Sequence, residues 1–298
     1  MRVPNGRPSG LLGRMRHHVL AVASAATVLA THAQPLAERD GPLDLSAELE
    51  TIRRSHDLPS LVAAAYRDGE LIGSGAAGYY SMEHADRVTT ASKYHIGSCT
   101  KAMTAVIIAS RVDEGALRWD LTLHEALPAY APLINAAYDG VTVSDLLAHR
   151  SGINERRDPG LANLPWTLLI GMGDAAPEEQ RAELVKTVLA AKPSAEPREE
   201  YAYSNFGYIV AAAVAEEAAG EPWETLIRER VFEPLEMTSA GFGPPGVPTT
   251  AEADRVIEPL GHRKQDEWMP MMLLEGRPAP DNPLVYNPAG RVHASIVD

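Results

Sequence analysis

Apolar positions change period along the first part of the chain. Leu45, Leu49 and Ile52 recur at i, i+4 and i+7, the stripe of a helix facing a core. Pro59 closes that unit. Residues 61–66 form an apolar run that reads as a strand, and residues 71–79 read as its returning partner. Asp68-Gly69 between them is a strong hairpin signal. The spacing therefore predicts a helix and then an antiparallel hairpin.

Residues 100–116 follow a different rule. Ala102, Met103, Ala105, Val106, Ile107, Ile108 and Ala109 leave no wide polar face, which predicts a buried helix with Gly115 as its stop. Beyond it the chain turns to helices, loops and prolines. Thr142-Val143-Ser144-Asp145 has the spelling of a capping box for a short helix ending near His149, with Gly152 supplying the turn. Residues 206–220 predict an Ala-rich helix ended by glycine. A further helix is expected from 222 to 229, with Pro222 in its tolerated first turn. From Gly241 onward prolines are frequent and few elements are legible.

Composition narrows the class. The 298 residues are 45% hydrophobic and 22% charged, which is ordinary for a globular chain. The formal charge is −13, and no run of Lys or Arg supplies the basic face that nucleic acid needs. The single cysteine, Cys99, excludes an internal disulfide and a paired-cysteine metal site. It reads as a small buried residue. Residues 1–33 combine Arg2, Arg7, Arg14 and Arg16 with a short apolar run from 19 to 30 and Thr31-His32-Ala33. This is the pattern of a secretory signal peptide cut near Ala33. A secreted or periplasmic location is therefore expected, with no transmembrane helix left after cleavage.

Two motifs suggest other chemistry and lack its context. Gly73-Ser74-Gly75-Ala76-Ala77-Gly78 spells a dinucleotide fingerprint, but a polar loop follows where a helix must open. A glycine-rich strand closely approached by another backbone is the better reading. His124-Glu125 begins a zinc motif, but Pro128 occupies the position of the second histidine. No metal or organic cofactor is implied.

Ser98-Cys99-Thr100-Lys101 opens the predicted buried helix. Residues three apart share a helix face, with Cβ atoms roughly 5–6 Å apart. Lys101 can then reach the Ser98 hydroxyl. At the wall of an apolar helix a lysine is partly desolvated, which favours its neutral form. A neutral amine can take the proton as Ser98 attacks a carbonyl. The helix N-terminus adds partial positive charge where an oxyanion forms. The spelling alone also fits a serine cap with a surface lysine. Gly97 before it and the buried helix after it favour the nucleophile.

Tyr203-Ser204-Asn205 precedes the 206–220 helix. A tyrosine hydroxyl near Ser98 and Lys101 can relay protons to a leaving group. Asn205 can hold a substrate amide together with Lys101, and it also stands where a helix cap belongs.

Gly97 to Lys101, then Leu146-Leu147-Ala148-His149-Arg150-Ser151-Gly152, then Tyr203-Ser204-Asn205-Phe206-Gly207-Tyr208 occur in an order and spacing that resembles the β-lactamase-related serine hydrolase family. That family includes class C β-lactamases, penicillin-binding proteins of the DD-peptidase type, D-aminopeptidases and esterases. The resemblance runs from about Leu61 to Gly290. It implies an α/β (α+β) fold of the β-lactamase/transpeptidase-like type, an antiparallel sheet flanked by helices plus a mostly helical lobe. It implies Ser98 as the acylated nucleophile, Lys101 as its activator and Tyr203 as proton relay. Asn205 becomes a substrate-binding residue, and His149 packs or caps. The expected substrate is a small-molecule or peptide amide, β-lactam or ester. The alternatives are a non-catalytic envelope-binding protein and an inactive fragment.

Two departures from the family pattern stand out. Glu196-Pro197-Arg198-Glu199-Glu200 replaces the usual Pro-Gly before Tyr203. The family's third motif (K-T-G, H-x-G or W-x-G) is not found, and Asp298 falls where relatives continue. The expectation is a domain over 34–298 whose C-terminal strands are missing, with a sheet-side part at 34–118 and a mostly helical lobe at 119–298.

Overall fold

The computed structural model describes residues 41–83, 85–245, 258–271 and 281–298. The expected signal peptide lies outside the described residues. Residues 44–298 form one compact unit.

The hairpin forms as its turn chemistry directs. Strands β1 (Ser60–Arg67) and β2 (Glu70–Gly78) pair antiparallel, Ser60 opposite Gly78, with a bulge at Ala65/Tyr66. Asp68 and Gly69 both take positive φ, 52° and 83°, as a two-residue turn matched to strand twist requires. Helix α1 (Ser46–Ser55) packs across both strands. The glycines of β2 make that approach possible. A Cβ on Gly75 would sit 2.6 Å from the backbone nitrogen of Ser46, and one on Gly78 would sit 2.2 Å from the Pro59 carbonyl. Close backbone approach, and not nucleotide binding, accounts for this stretch.

Short strand β3 (Tyr94–His95) leads through a tight turn, Gly97–Cys99, into helix α2 (Thr100–Asp113). Thr100 Oγ1 donates to the Gly97 carbonyl at 2.7 Å and so satisfies the turn locally. The expected all-round burial of α2 is corrected here. Lys101, Thr104, Ile107 and Ile108 are buried, whereas Ala102 and Val106 are exposed. Ala102 and Val106 are four apart and share one face, which no described element covers. The helix also ends three residues early, because Glu114 to Ala116 leave it.

Helices α3 (Leu123–Ala126) and α4 (Val143–Leu147) each open with a full capping box, Thr122/Glu125 and Thr142/Asp145. Helices α5 (Pro159–Ala162), α6 (Leu164–Met172) and α7 (Pro177–Ala190) follow. Helix α8 (Asn205–Ala219) is the centre of the core. Phe206 to Ala215 are all buried, and α2, α4, α7 and the later α9 and α10 pack around it. Its cap is Ser204, whose Oγ accepts from Gly207 N at 2.9 Å. Gly220 ends it at a φ of 73°. Asn205, expected as the cap, is the first helical residue, and its side chain is free for other work.

Helix α9 (Trp223–Ile227) is shorter than the 222–229 expectation and passes into a wide turn, Arg228–Phe232. Strand β4 (Gly241–Phe242), a small hairpin of β5 (His262–Lys264) and β6 (Trp268–Pro270), helix α10 (Asn287–Gly290) and β7 (Val292–Ala294) complete the described chain. Strand β7 lies between β3 and β4, antiparallel to both. The fold is α/β of the α+β kind, as expected. Among the described residues no helix is long and apolar enough to cross a membrane.

Candidate active site

The turn at Gly97 lifts Ser98 to the mouth of α2, where it is exposed. One helical turn on, Lys101 points inward and is only 6% exposed. Its Nζ lies 3.1 Å from Ser98 Oγ, 2.8 Å from Asn205 Oδ1 and 2.5 Å from the Ala289 carbonyl oxygen. An ammonium would donate to all three. A neutral amine has two N–H groups and one lone pair. With Asn205 and Ala289 taking the two N–H groups, the lone pair is left facing the Ser98 hydroxyl.

Tyr203 approaches from the other side. Its hydroxyl donates to Ser98 Oγ at 2.8 Å, so the serine oxygen touches both expected proton carriers. Lys101 Nζ and the Arg156 guanidinium carbon also lie over the Tyr203 ring, 5.0 and 5.5 Å from its centroid. The three residues sit on separate elements. Tight packing holds them in register, as α10 and the Gly97–Cys99 turn meet closely and Thr104 Oγ1 donates to the Pro288 carbonyl at 2.7 Å.

His149 supports Tyr203 and does not touch Ser98. It closes α4 in the left-handed region, at a φ of 57°. The amide of Arg150 donates to the Asp145 carbonyl at 2.8 Å and that of His149 to Leu146 at 3.3 Å, a Schellman closure with histidine where glycine is usual. This corrects the assignment of the turn to Gly152. The His149 ring lies 4.5 Å from that of Tyr203 and 5.2 Å from that of Tyr208. Its Nδ1 accepts from Ser204 N at 3.1 Å. Burial first, and then the Lys101 charge, hold its pKa below the ordinary histidine value. Burial likewise pushes the nearby Tyr286 hydroxyl up to about 12.

Glu155 and Ala289 escaped the sequence reading. Glu155 is buried, and its carboxylate accepts from Ser204 Oγ at 2.9 Å, Asn205 N at 3.0 Å and Asn205 Nδ2 at 2.9 Å. An acidic residue inside a mostly polar run, 154–158, gives no periodic signal of burial. Ala289 acts through its backbone, which no side-chain pattern encodes. Cys99 needs a correction in the other direction, because it is exposed and not buried. It lies on the outer side of the turn, one residue from Ser98. No group of three His, Cys, Asp or Glu side chains among the described residues could hold a metal ion. The acidic stretch before Tyr203 is paired in part: Glu200 meets Arg157 at 2.7 Å and Arg198 meets Asp145 at 3.9 Å.

Comparison with known proteins places the chain in a family and a fold. Residues 37–298 match the family model described as Beta-lactamase. Penicillin-binding protein 4 of Amycolatopsis lactamdurans is 29% identical over 186 residues, which cover 62% of this chain and 45% of that protein. The chain spans less than half the length of the first curated relatives it matches. Among solved structures, a D-stereospecific amidohydrolase from Streptomyces sp. superposes with a TM-score of 0.60 at 21% identity, covering 84% of this chain and 68% of that one. A class C beta lactamase from Rhodobacter sphaeroides gives 0.59 at 21% identity, over 85% and 62%. At that identity both likenesses concern the fold.

Proposed function

We propose that this chain, which belongs to the beta-lactamase family, is an exported serine hydrolase that works through a Ser98 acyl-enzyme. The observation that carries the reading is the meeting of Lys101 Nζ and Tyr203 Oη on one serine oxygen, at 3.1 and 2.8 Å.

In this reading the Ser98 hydroxyl gives its proton to Lys101 as Oγ bonds to the substrate carbonyl carbon. Tyr203 then passes a proton to the leaving amine or alcohol as the bond from carbon to nitrogen or oxygen breaks. Water, deprotonated by the same groups, splits the acyl-Ser98 ester and restores the hydroxyl. The positive end of α2 favours the oxyanion formed in each half. Asn205 contributes by holding Lys101 through its Oδ1, and in this reading it also binds the substrate amide.

The substrate class is an amide, β-lactam or ester. The structural neighbours include a D-stereospecific amidohydrolase and a class C beta lactamase, and an acyl-enzyme on a serine suits an amide, a lactam or an ester alike. The leader pattern of residues 1–33 supports export. The decisive assay offers a chromogenic cephalosporin, a D-amino acid anilide and a short-chain nitrophenyl ester to the parent chain and to Ser98→Ala. Turnover of at least one substrate, abolished in Ser98→Ala, is the expected result. Turnover that survives the substitution would remove Ser98 from the mechanism, and the absence of turnover on all three would favour a binding role.

A further inference from the structure

The buried carboxylate of Glu155 stands on the far side of Asn205 from Lys101, and the reaction scheme above gives it no part. Its three hydrogen bonds have a consistent direction. Oε1 accepts from both the backbone N and the side-chain Nδ2 of Asn205, at 3.0 and 2.9 Å, and Oε2 accepts from Ser204 Oγ at 2.9 Å. A carboxylate only accepts hydrogen bonds. The nitrogen end of the Asn205 amide must therefore face Glu155, which turns its oxygen to Lys101 Nζ at 2.8 Å.

An amide is nearly symmetric in shape and opposite in polarity at its two ends. Flipped, Asn205 would set its oxygen against the Glu155 carboxylate. It would also aim N–H groups at Lys101, where they would compete with the Ser98 hydroxyl for the amine's lone pair. We propose that Glu155 is a positioning residue that locks the Asn205 amide, so that Asn205 always takes one N–H of Lys101 and leaves the lone pair for Ser98. This rests on the reading of Ser98 and Lys101 given above. Glu155 touches no reacting atom; it acts through Asn205. Its place on the loop after α4 couples that loop to the first turn of α8, where the helix N-terminus also favours a negative charge.

Shape and polarity can be separated at this position. Glutamine keeps the length of Glu155 but offers a donor as well as an acceptor, so either Asn205 orientation becomes tolerable. Aspartate is shorter but still only accepts. A role in packing alone ranks Glu155→Gln above Glu155→Asp, whereas the locking role ranks them the other way.

The experiment follows fluorophosphonate adduct formation on Ser98 by intact mass, with kinact and KI resolved and rates referred to the folded fraction. Expected for Glu155→Gln is a fall in kinact of about tenfold or more at nearly constant KI, with Glu155→Asp nearer to the parent. In an Asn205→Ala background, Glu155→Gln should produce no further loss, because the route through the amide is already gone. Parent-like kinact in Glu155→Gln, or an equal loss with and without Asn205, overturns the proposal. So does a Glu155→Gln chain that no longer unfolds cooperatively, which would make the residue a structural anchor. A parent chain that takes no label on Ser98 sinks the underlying reading and this proposal with it. A labelled parent with an equally fast Glu155→Gln sinks the proposal alone.

Discussion

Helix α8 and strand β1 are both rich in alanine and aliphatic residues, yet they occupy different environments. Every residue of α8 from Phe206 to Ala215 is buried, whereas no residue of β1 is. The difference lies in their partners. Helices α2, α4, α7, α9 and α10 surround α8, while among the described helices only α1 makes extensive contact with the hairpin. Beyond α1, Tyr94 Oη donates to Ser60 Oγ at 2.8 Å, and Tyr66 Oη to the Val297 carbonyl at 3.3 Å. Apolar composition sets the capacity for burial, and neighbouring elements decide how much of it is realised. Lys101, Tyr203, Asn205 and Glu155 are all tied to α8 or to elements packed on it. The chemistry should therefore depend on the helical side and tolerate change in the hairpin.

The largest effect expected is on rate. Lys101→Arg keeps the charge but cannot act as a base, since a guanidinium does not deprotonate in proteins. It should lose about 10²–10⁴ in acylation rate, close to the loss in Lys101→Ala. A Lys101→Arg rate within about tenfold of the parent, some 1.4 kcal/mol of barrier, would make Lys101 an electrostatic partner only. Next comes stability. Phe206→Ala at the head of α8 opens a cavity in a fully buried site and should cost about 3–5 kcal/mol in urea unfolding. Leu61→Ala in β1 removes a half-buried side chain and should cost about 1 kcal/mol. Equal costs would mean that the hairpin is as tightly held as the helical core, and the contrast would fail.

Much of this division was legible along the chain. The Asp68-Gly69 turn, the Thr142/Asp145 capping box and the Ser98/Lys101 pair all join residues that are close in sequence, where local geometry alone sets the contact. What was missed depends on tertiary contacts. Lys101 reaches the Ala289 carbonyl across 188 positions, and Glu155 reaches Asn205 across 50. The exposure of Cys99 and of the Ala102/Val106 face follows from which sides of α2 find neighbours, and periodicity does not report that. His149 in the left-handed region was also hidden, because glycine at Gly152 offered the more usual signal for the turn.

The smallest effect expected is a pH dependence of stability. His149, His262 and His293 all have pKa values below 6.5 in the fold, each mainly through burial. Unfolding returns them to the ordinary value, so the unfolded chain binds more protons just below pH 6.5. The contribution of these three rings should be constant above that pH and decline as pH falls through 6.5 towards the folded-state values. His149→Gln should flatten part of this decline, whereas unchanged melting from pH 7.5 to 5.5 would show that the three rings are not held neutral.

The central claim is that one serine oxygen, set between Lys101 and Tyr203, becomes acylated. Fluorophosphonate labelling of the parent chain followed by peptide mapping tests it most directly. A single adduct on the peptide carrying Ser98, lost in Ser98→Ala and strongly slowed in Lys101→Arg, is the expected result. An adduct on Ser151, Ser204 or Ser295, or labelling that persists in Ser98→Ala, would contradict it.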